Sequence, residues 1–328
     1  MPINSKSSSA TKTHLLVPVA LTTGIVLAAS LSLVKIATVG RNAPLAAADS
    51  DPMVAAAGDI ACDPDKAQYN QGNGTVDACH MKATSELLVG QNFAAVLPLG
   101  DTQYENATLS KFQQSYDRTW GRVKAISYPA AGNHEYLTPG ASGYFSYFGA
   151  AAGESTKGYY SYNIGNWHII ALNGNCTYIG GCEAGSPQEI WLKADLAASS
   201  AVCTLAYWHQ PRFSSGLHSN DSTYDAFWQD LYNAHADIVL NGHDHHYERF
   251  APQTPKAEAD PRRGIREFVV GTGGKNLYPI LTAQANSQIR NADTYGILKL
   301  VLHPDRYSWA FIPEAGKTFT DSGDDLCH

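Results

Sequence analysis

Apolar residues in this chain gather in blocks of two kinds. Ala94-Ala95-Val96-Leu97-Pro98-Leu99, Val202-Cys203-Thr204-Leu205-Ala206 and Asp237-Ile238-Val239-Leu240 are brief apolar runs bounded by turn residues, which predicts buried strands. Longer stretches between them read as helices: Cys79 to Gln91, Leu109 to Trp120, Ser186 to Ala198 and Tyr224 to Ala234. The third has the plainest start, with Ser186 as a capping residue, Pro187 at the first helical position and Glu189 three residues after the cap. Toward the end, Arg266 to Val270, Tyr295 to Leu302 and Tyr307 to Ile312 read as strands with no helix between them. Alternating strands and helices followed by strands alone predict an α/β fold of two mixed sheets packed face to face and flanked by helices.

The first fifty residues follow a different pattern. Lys6 and Lys12 precede an uncharged apolar run from Leu15 to Val34, followed by Lys35, Arg41 and the small-residue segment Ala43 to Ala48. That order of charge, apolar run and small residues is an export signal. The run is also long enough to span a bilayer, so an N-terminal membrane anchor is the rival to cleavage near Ala48. Either way residues 49–328 are expected outside the cytoplasm. With no Gly/Ser-rich or Pro-rich linker after residue 53, they are expected to form a single domain, the polar stretch 252–264 being a surface loop.

Charge narrows the choice of partner. The chain carries a net charge of -7, and Lys6, Lys12, Lys35 and Arg41 are the only charges before Asp49, so residues 49–328 hold 19 basic and 30 acidic side chains, or -11. Binding to a nucleic-acid backbone needs clustered Lys and Arg. Arg262-Arg263 alone does not supply it, and no nucleic-acid partner is expected.

The chemistry lies in five short segments in fixed order: Gly58-Asp59, Gly100-Asp101-Thr102-Gln103-Tyr104, Gly132-Asn133-His134-Glu135, Tyr207-Trp208-His209 and Gly242-His243-Asp244-His245. Each is common in ordinary turns. Together they bring seven metal-ligand side chains (Asp59, Asp101, Tyr104, Asn133, His209, His243 and His245), about what two ions sharing a bridging carboxylate require. Three of the apolar runs end just before Asp101, His209 and His243. That places these ligands beyond the carboxyl ends of strands, where open α/β sheets usually put their sites. The glycines at 58, 100, 132 and 242 are expected to let the chain turn sharply there.

In this ordered set, over roughly residues 53 to 312, the chain resembles the calcineurin-like metallophosphoesterases, and within them the purple acid phosphatases. Most of the family opens with Asp-x-His, whereas here Asp59-Ile60-Ala61 has alanine in the histidine position. Tyr104, three residues after Asp101, resembles the tyrosine that fills that position in purple acid phosphatases. The resemblance implies a four-layer α-β-β-α sandwich. It also implies one metal on Asp59, Asp101, Tyr104 and His245 and a second on Asp101, Asn133, His209 and His243. Two carboxylates and a phenolate suit a hard Fe(III), while two imidazoles and an amide suit a divalent Zn, Mn or Fe.

The implied activity is hydrolysis of phosphate monoesters in a small phosphorylated substrate, by a hydroxide held on the metal pair. His134, next to a ligand but unable to share its ion, and His218, in a polar loop nine residues after His209, are the expected substrate-facing histidines. One rival keeps the site but makes the protein a phosphodiesterase or nucleotidase, with specificity in loops such as 138–155 and 173–185. A remoter rival is a metal-loaded surface protein that binds phosphate without turnover.

Six cysteines, at 62, 79, 176, 182, 203 and 327, favour an oxidising compartment. Of fifteen connectivities, proximity favours Cys62 with Cys79 and Cys176 with Cys182, leaving Cys203 for Cys327. Sequons stand at Asn73, Asn106, Asn175 and Asn220.

Overall fold

The structure is a computed structural model and describes residues 51–328; the expected export segment or anchor at residues 1–48 lies outside the described residues. In chain order the regular elements are β1 (Met53–Ala57), α1 (Met81–Glu86), β2 (Phe93–Pro98), α2 (Leu109–Gln114), α3 (Ser142–Phe148), β3 (Tyr160–Ile164), β4 (Trp167–Ala171), α4 (Cys176–Ile179) and α5 (Pro187–Ala198). They continue with β5 (Cys203–Tyr207), α6 (Asp225–Asn233), β6 (Ile238–Asn241), β7 (Tyr247–Phe250), β8 (Arg266–Val270), β9 (Ser287–Asn291), β10 (Gly296–Leu302), β11 (Arg306–Pro313) and β12 (Ser322–Leu326). Among the described residues no helix is long and apolar enough to cross a membrane.

Two mixed sheets form the centre, one ordered β12-β11-β10-β1-β2 and the other β3-β4-β5-β6-β8-β7-β9. The two-residue period of a strand decides which layer each side chain joins. Ile169 and Ala171, Leu205 and Tyr207, Ile238 and Leu240, and Phe268 and Val270 belong to the core shared with β1, β2 and β10. Their alternates Ile170, Ala206, Val239 and Val269 pack outward with Leu192 of α5 and Phe227, Trp228 and Leu231 of α6. The result is the four-layer sandwich.

The helix reading needs two corrections. The expected helix from Cys79 to Gln91 is α1 alone, because Cys79 sits at φ +70°, its N–H donates to Lys275 O, and its sulfur is bonded to Cys62. The expected helix from Leu109 to Trp120 stops at Gln114. Ser115 turns aside to give its hydroxyl to Cys62 O, Tyr116 N–H donates to the Gln103 side chain, and two 3-10 turns follow. Tertiary hydrogen bonds override helix propensity in both places. The α5 start is as read: Ser186 Oγ accepts from Glu189 N–H, although the Glu189 carboxylate reaches Gly185 N–H rather than that of Ser186.

The three disulfides are Cys62–Cys79, Cys176–Cys182 and Cys203–Cys327. Closing loops of 17 and 124 residues stabilises by about 3 and about 5 kcal/mol respectively in the chain-entropy account.

Candidate metal centre

Parallel strands from both sheets end at one place. β1 leads into Asp59, β2 into Asp101, β5 into His209, and β6 into His243 and His245. Backbone hydrogen bonds tie the ends across the sheets: Gly58 N–H donates to Val270 O at 2.8 Å and Gly273 N–H to Gly58 O at 2.9 Å. The segment carrying Asn133 and His134 is anchored through the Leu99–Ala130 bridge beside β2.

The expectation for the glycines is only partly met. Gly100 has φ +85°, but beyond Gly58 and Gly242 the turn is made by the candidate ligands Asp59 (φ 61°) and His243 (φ 68°), and Asp101 adopts φ 46°. Non-glycine residues in that region cost energy and cluster where a site requires them. The glycines instead serve close approach. A Cβ on Gly132 would stand 2.2 Å from Asp101 Oδ1, and one on Gly100 would stand 2.5 Å from the His209 ring.

The donor atoms form two groups sharing Asp101. In the first, Tyr104 Oη lies 2.9 Å from Asp59 Oδ1, 3.0 Å from Asp101 Oδ2 and 3.1 Å from His245 Nε2, and Asp59 Oδ1 lies 3.1 Å from His245 Nε2. In the second, Asp101 Oδ2 is 3.2 Å from His209 Nε2, which is 3.2 Å from His243 Nδ1. Asp59, Asp101, Tyr104, His209 and His245 are all buried. Backbone carbonyls fix two tautomers, since His209 Nδ1 donates to Leu99 O at 2.8 Å and His245 Nδ1 to Asn276 O at 2.7 Å. That leaves each Nε2 facing the cluster.

These groups fit cations better than they fit one another. One phenolic proton stands among two carboxylate oxygens and an imidazole nitrogen, and two imidazole nitrogens face each other. Asn133 Oδ1 is buried with no hydrogen-bond partner. Burial works to raise Asp101, but the neighbouring His209, with His134, holds it well below the usual carboxylate range. Burial lowers His209, yet the Asp101 charge outweighs it and lifts the imidazole to about 10. Burial and the charges of Asp101 and Asp59 keep the Tyr104 phenol protonated well above its ordinary range. Burial and the charge of His209 push His243 down to about 3. A pair of cations would take the place of the protons on Tyr104 and His209 and give the unpaired Asn133 oxygen a partner.

The two candidate proton-handling histidines flank this set. His134 N–H donates to Asp101 Oδ1 at 2.8 Å, its Nδ1 donates to Glu105 O, and its Nε2 lies 3.9 Å from Asp101 Oδ2. His218 is exposed, with its ring 4.1 Å from that of His243. Arg212 is paired with Asp225 and lies over the Phe213 ring, and His246 is buried against Glu248. The sequon at Asn175 is buried, its amide donating to Ala131 O and Asn173 Oδ1.

Sequence reasoning missed several supporting residues. The fully buried Glu135 carboxylate accepts from Thr102 N–H (2.9 Å), Thr102 Oγ1 (2.9 Å), Gln103 N–H (3.3 Å), Asp101 N–H (3.0 Å) and Gly132 N–H (2.6 Å). It thereby clamps the Asp101 and Asn133 segments together. Its position directly after His134 was visible, but its role depends on contacts 32 to 34 residues away. Tyr278 stacks on His245 with ring centroids 3.9 Å apart and planes 6° from parallel, and nothing in its local sequence marks it.

The sequence profile of the calcineurin-like phosphoesterase family matches residues 55–247. The chain belongs to this family. It is 29% identical over 216 residues to purple acid phosphatase 15 of Arabidopsis thaliana, a match covering 55% of this chain and 40% of that protein. The chain thus spans less than half the length of that curated relative. The purple acid phosphatase PPD1 of yellow lupin (Lupinus luteus) seeds has the same fold, with a TM-score of 0.70 at 18% identity over 84% of this chain and 53% of that one. GAP50, described as the anchor in the inner membrane complex of Plasmodium, also shares it, with a TM-score of 0.57 at 13% identity over 85% of this chain and 89% of that one. Within the family, the similarity to purple acid phosphatase 15 supports the purple acid phosphatase-like branch. One fold thus carries both an enzyme and an anchor, and it is the site that decides function.

Proposed function

We propose that residues 49–328 form a catalytic domain that hydrolyses phosphate monoesters at two adjacent metal ions. The observation that carries this is the pair of donor groups joined through Asp101, with Asn133 Oδ1 buried and unpaired beside them. Asp59, Asp101, Tyr104 and His245 would hold one ion, and Asp101, Asn133, His209 and His243 the other. Two ions so held supply positive charge to polarise phosphate oxygens and to acidify water. The two carboxylates and phenol of the first group favour Fe(III), and the imidazole-rich second group favours Zn, Mn or Fe(II).

The chain's own residues supply the rest. With Nδ1 committed to Glu105 O, His134 presents Nε2 as the atom that carries a proton, and it delivers that proton to the departing alkoxide. Protonated, it also adds positive charge beside the substrate. His218 sits on the other side of the cluster, over His243, and orients the phosphate or its leaving group. The burial of Asp59, Asp101, Tyr104, His209 and His245 excludes bulk water and strengthens these electrostatic interactions.

The three disulfides support an oxidising, extracytoplasmic compartment. Residues 1–48, as export signal or anchor, would deliver the domain there. Metal-loaded protein should hydrolyse p-nitrophenyl phosphate faster than bis-p-nitrophenyl phosphate. A preference for the diester would make it a phosphodiesterase, and turnover of neither would reduce it to a phosphate-binding protein.

A further inference from the structure

Between the candidate ligands His243 and His245 stands Asp244, a carboxylate that faces no candidate metal partner. It is fully buried, and both of its oxygens are spent on the segment that carries His218. Oδ1 accepts the backbone N–H of His218 at 2.9 Å, and Oδ2 accepts the hydroxyl of Ser214. Ser214 Oγ in turn accepts from Gly216 N–H at 3.0 Å, so one carboxylate organises three points of a five-residue turn. The fit leaves no slack, because a Cβ on Gly216 would stand 2.6 Å from Asp244 Cγ.

Two more buried carboxylates hold the base of the same segment. Glu248 accepts Ser215 N–H at 2.8 Å and Ser215 Oγ at 2.5 Å, and Glu267 accepts Phe213 N–H at 3.3 Å. Those bonds fix residues 213 and 215, which point into the protein. Asp244 alone among the three reaches His218 itself. Burying a carboxylate to accept one backbone N–H and one hydroxyl is an expensive way to order a surface turn. It is explained if the position of that turn matters. Asp244 shares its tight turn with His243 and His245, so a single residue links the backbone of His218 directly to the candidate metal ligands.

We propose that Asp244 is a positioning residue for catalysis: it holds His218 at a fixed place over His243, so that the substrate-facing imidazole and the metal-holding imidazoles form one rigid unit. This inference rests on the reading of His218 as substrate-facing. Without Asp244, the His218 N–H and the Ser214 hydroxyl lose their acceptor, and the exposed end of the turn is free to leave the cluster while both ions stay bound.

The test is a double-mutant cycle on metal-loaded protein, using kcat and KM for one alkyl phosphate together with metal content. Asp244→Ala and His218→Ala should each lower kcat by up to about 100-fold, the cost of a misplaced group near the reacting atoms. The double variant should be no slower than either single one. Asp244→Asn, whose Oδ1 can still accept His218 N–H, should recover most of the loss with little change in KM. Multiplicative losses in the double variant, or loss of metal from Asp244→Ala with no recovery in Asp244→Asn, would overturn the assignment. If His218→Ala alone keeps full turnover, the reading of His218 fails and takes the inference with it. If only Asp244→Ala is silent, the inference fails alone.

Discussion

Glu135→Gln tests how the site is held together, because it changes charge and bonding with almost no change in shape. The carboxylate receives three donors on Oε1 and two on Oε2, and no acceptor faces it. A glutamine can place its oxygen at the three-donor position, but its NH2 then meets the N–H groups of Asp101 and Gly132 head on. Two hydrogen bonds to a charged group, each worth about 1.5–3 kcal/mol, are lost, for a gross cost of roughly 3–6 kcal/mol. Part of that is recovered, since burial and the nearby Asp101 charge oppose ionisation of Glu135 and push its pKa up to about 7. The low end, about 3 kcal/mol, is therefore the expected net loss. At about 2–4 °C per kcal/mol for a domain of this size, the apparent melting temperature should fall by about 6–12 °C. Melts should be run both with a chelator and with metal loaded, to separate the protein's own loss from weakened metal binding. Because the lost bonds join the Asp101 and Asn133 segments, the loaded protein should show the larger drop. A variant that melts within a degree or two of the parent and keeps two equivalents of metal would refute the clamp.

Asp101→Ala should lose both metals and all activity, whereas Asn133→Ala should lose mainly the ion on His209 and His243; two equivalents still bound to the Asp101 variant would break the bridging assignment. His134→Ala should keep its metals and lose about 10²–10⁴ in turnover of alkyl phosphates, less with nitrophenyl phosphate, and equal slowing of both would exclude it as the leaving-group donor. Tyr104→Phe should abolish the visible charge-transfer band of iron-loaded protein, and a variant that keeps the colour would remove Tyr104 from the ligand set. Far from the site, burial raises Asp237 to about 7, where it accepts from Thr204 N–H and His328 N–H with Asp325 and the His328 ring nearby. The folded state then binds more protons than the unfolded between pH ~4 and ~7, so Asp237 contributes stability at acid pH that is lost as pH rises through about 7, by up to about 4 kcal/mol. Urea melts across that range should show a smaller decline in Asp237→Asn, and parallel curves would exclude the linkage.

Which parts of the molecule could be read in advance follows from where the determining contacts lie. β2, β5, β6 and β10 are largely apolar runs whose burial is written in their own residues. β11 alternates Tyr307, Trp309 and Phe311 inward, and β8 shows itself only by Phe268-Val269-Val270, its buried Arg266 and Glu267 being unreadable from sequence. β9 (Ser287–Asn291) and β12 (Ser322–Leu326) are polar outer strands that exist because a neighbour pairs with them, and strand propensity gives little warning of such cases. The hairpin of β3 and β4 is also written in the sequence, since Gly165-Asn166 forms a two-residue turn between Ile164 and Trp167. The segment 138–155, expected as a loop, contains α3 because its aromatic residues Tyr144, Tyr147 and Phe148 find a core to enter, and the expected loop 173–185 holds the short α4 closed by the Cys176–Cys182 bond. At the site, Asp59, Asp101, Asn133, His209, His243 and His245 could be named because glycine or an apolar run marks them, and Tyr104 through the family resemblance. Glu135, Asp244 and Tyr278 could not, because their partners lie far away in the chain and only folding brings them within reach.

The Cys203–Cys327 bond joins the first residue of β5 to the residue after β12, and so links the seven-stranded sheet covalently to the five-stranded one. At the far end of β5 stands His209, facing Asp101 from the other sheet. One strand is thus fastened across the sandwich at both ends, by sulfur at its start and, in the proposed loaded state, by metal at its finish. Dithiothreitol and EDTA, each harmless to many proteins and often combined in a single buffer, would here undo opposite ends of the same joint. The routine choice of purification buffer therefore becomes a choice about whether the two halves of the site stay in register.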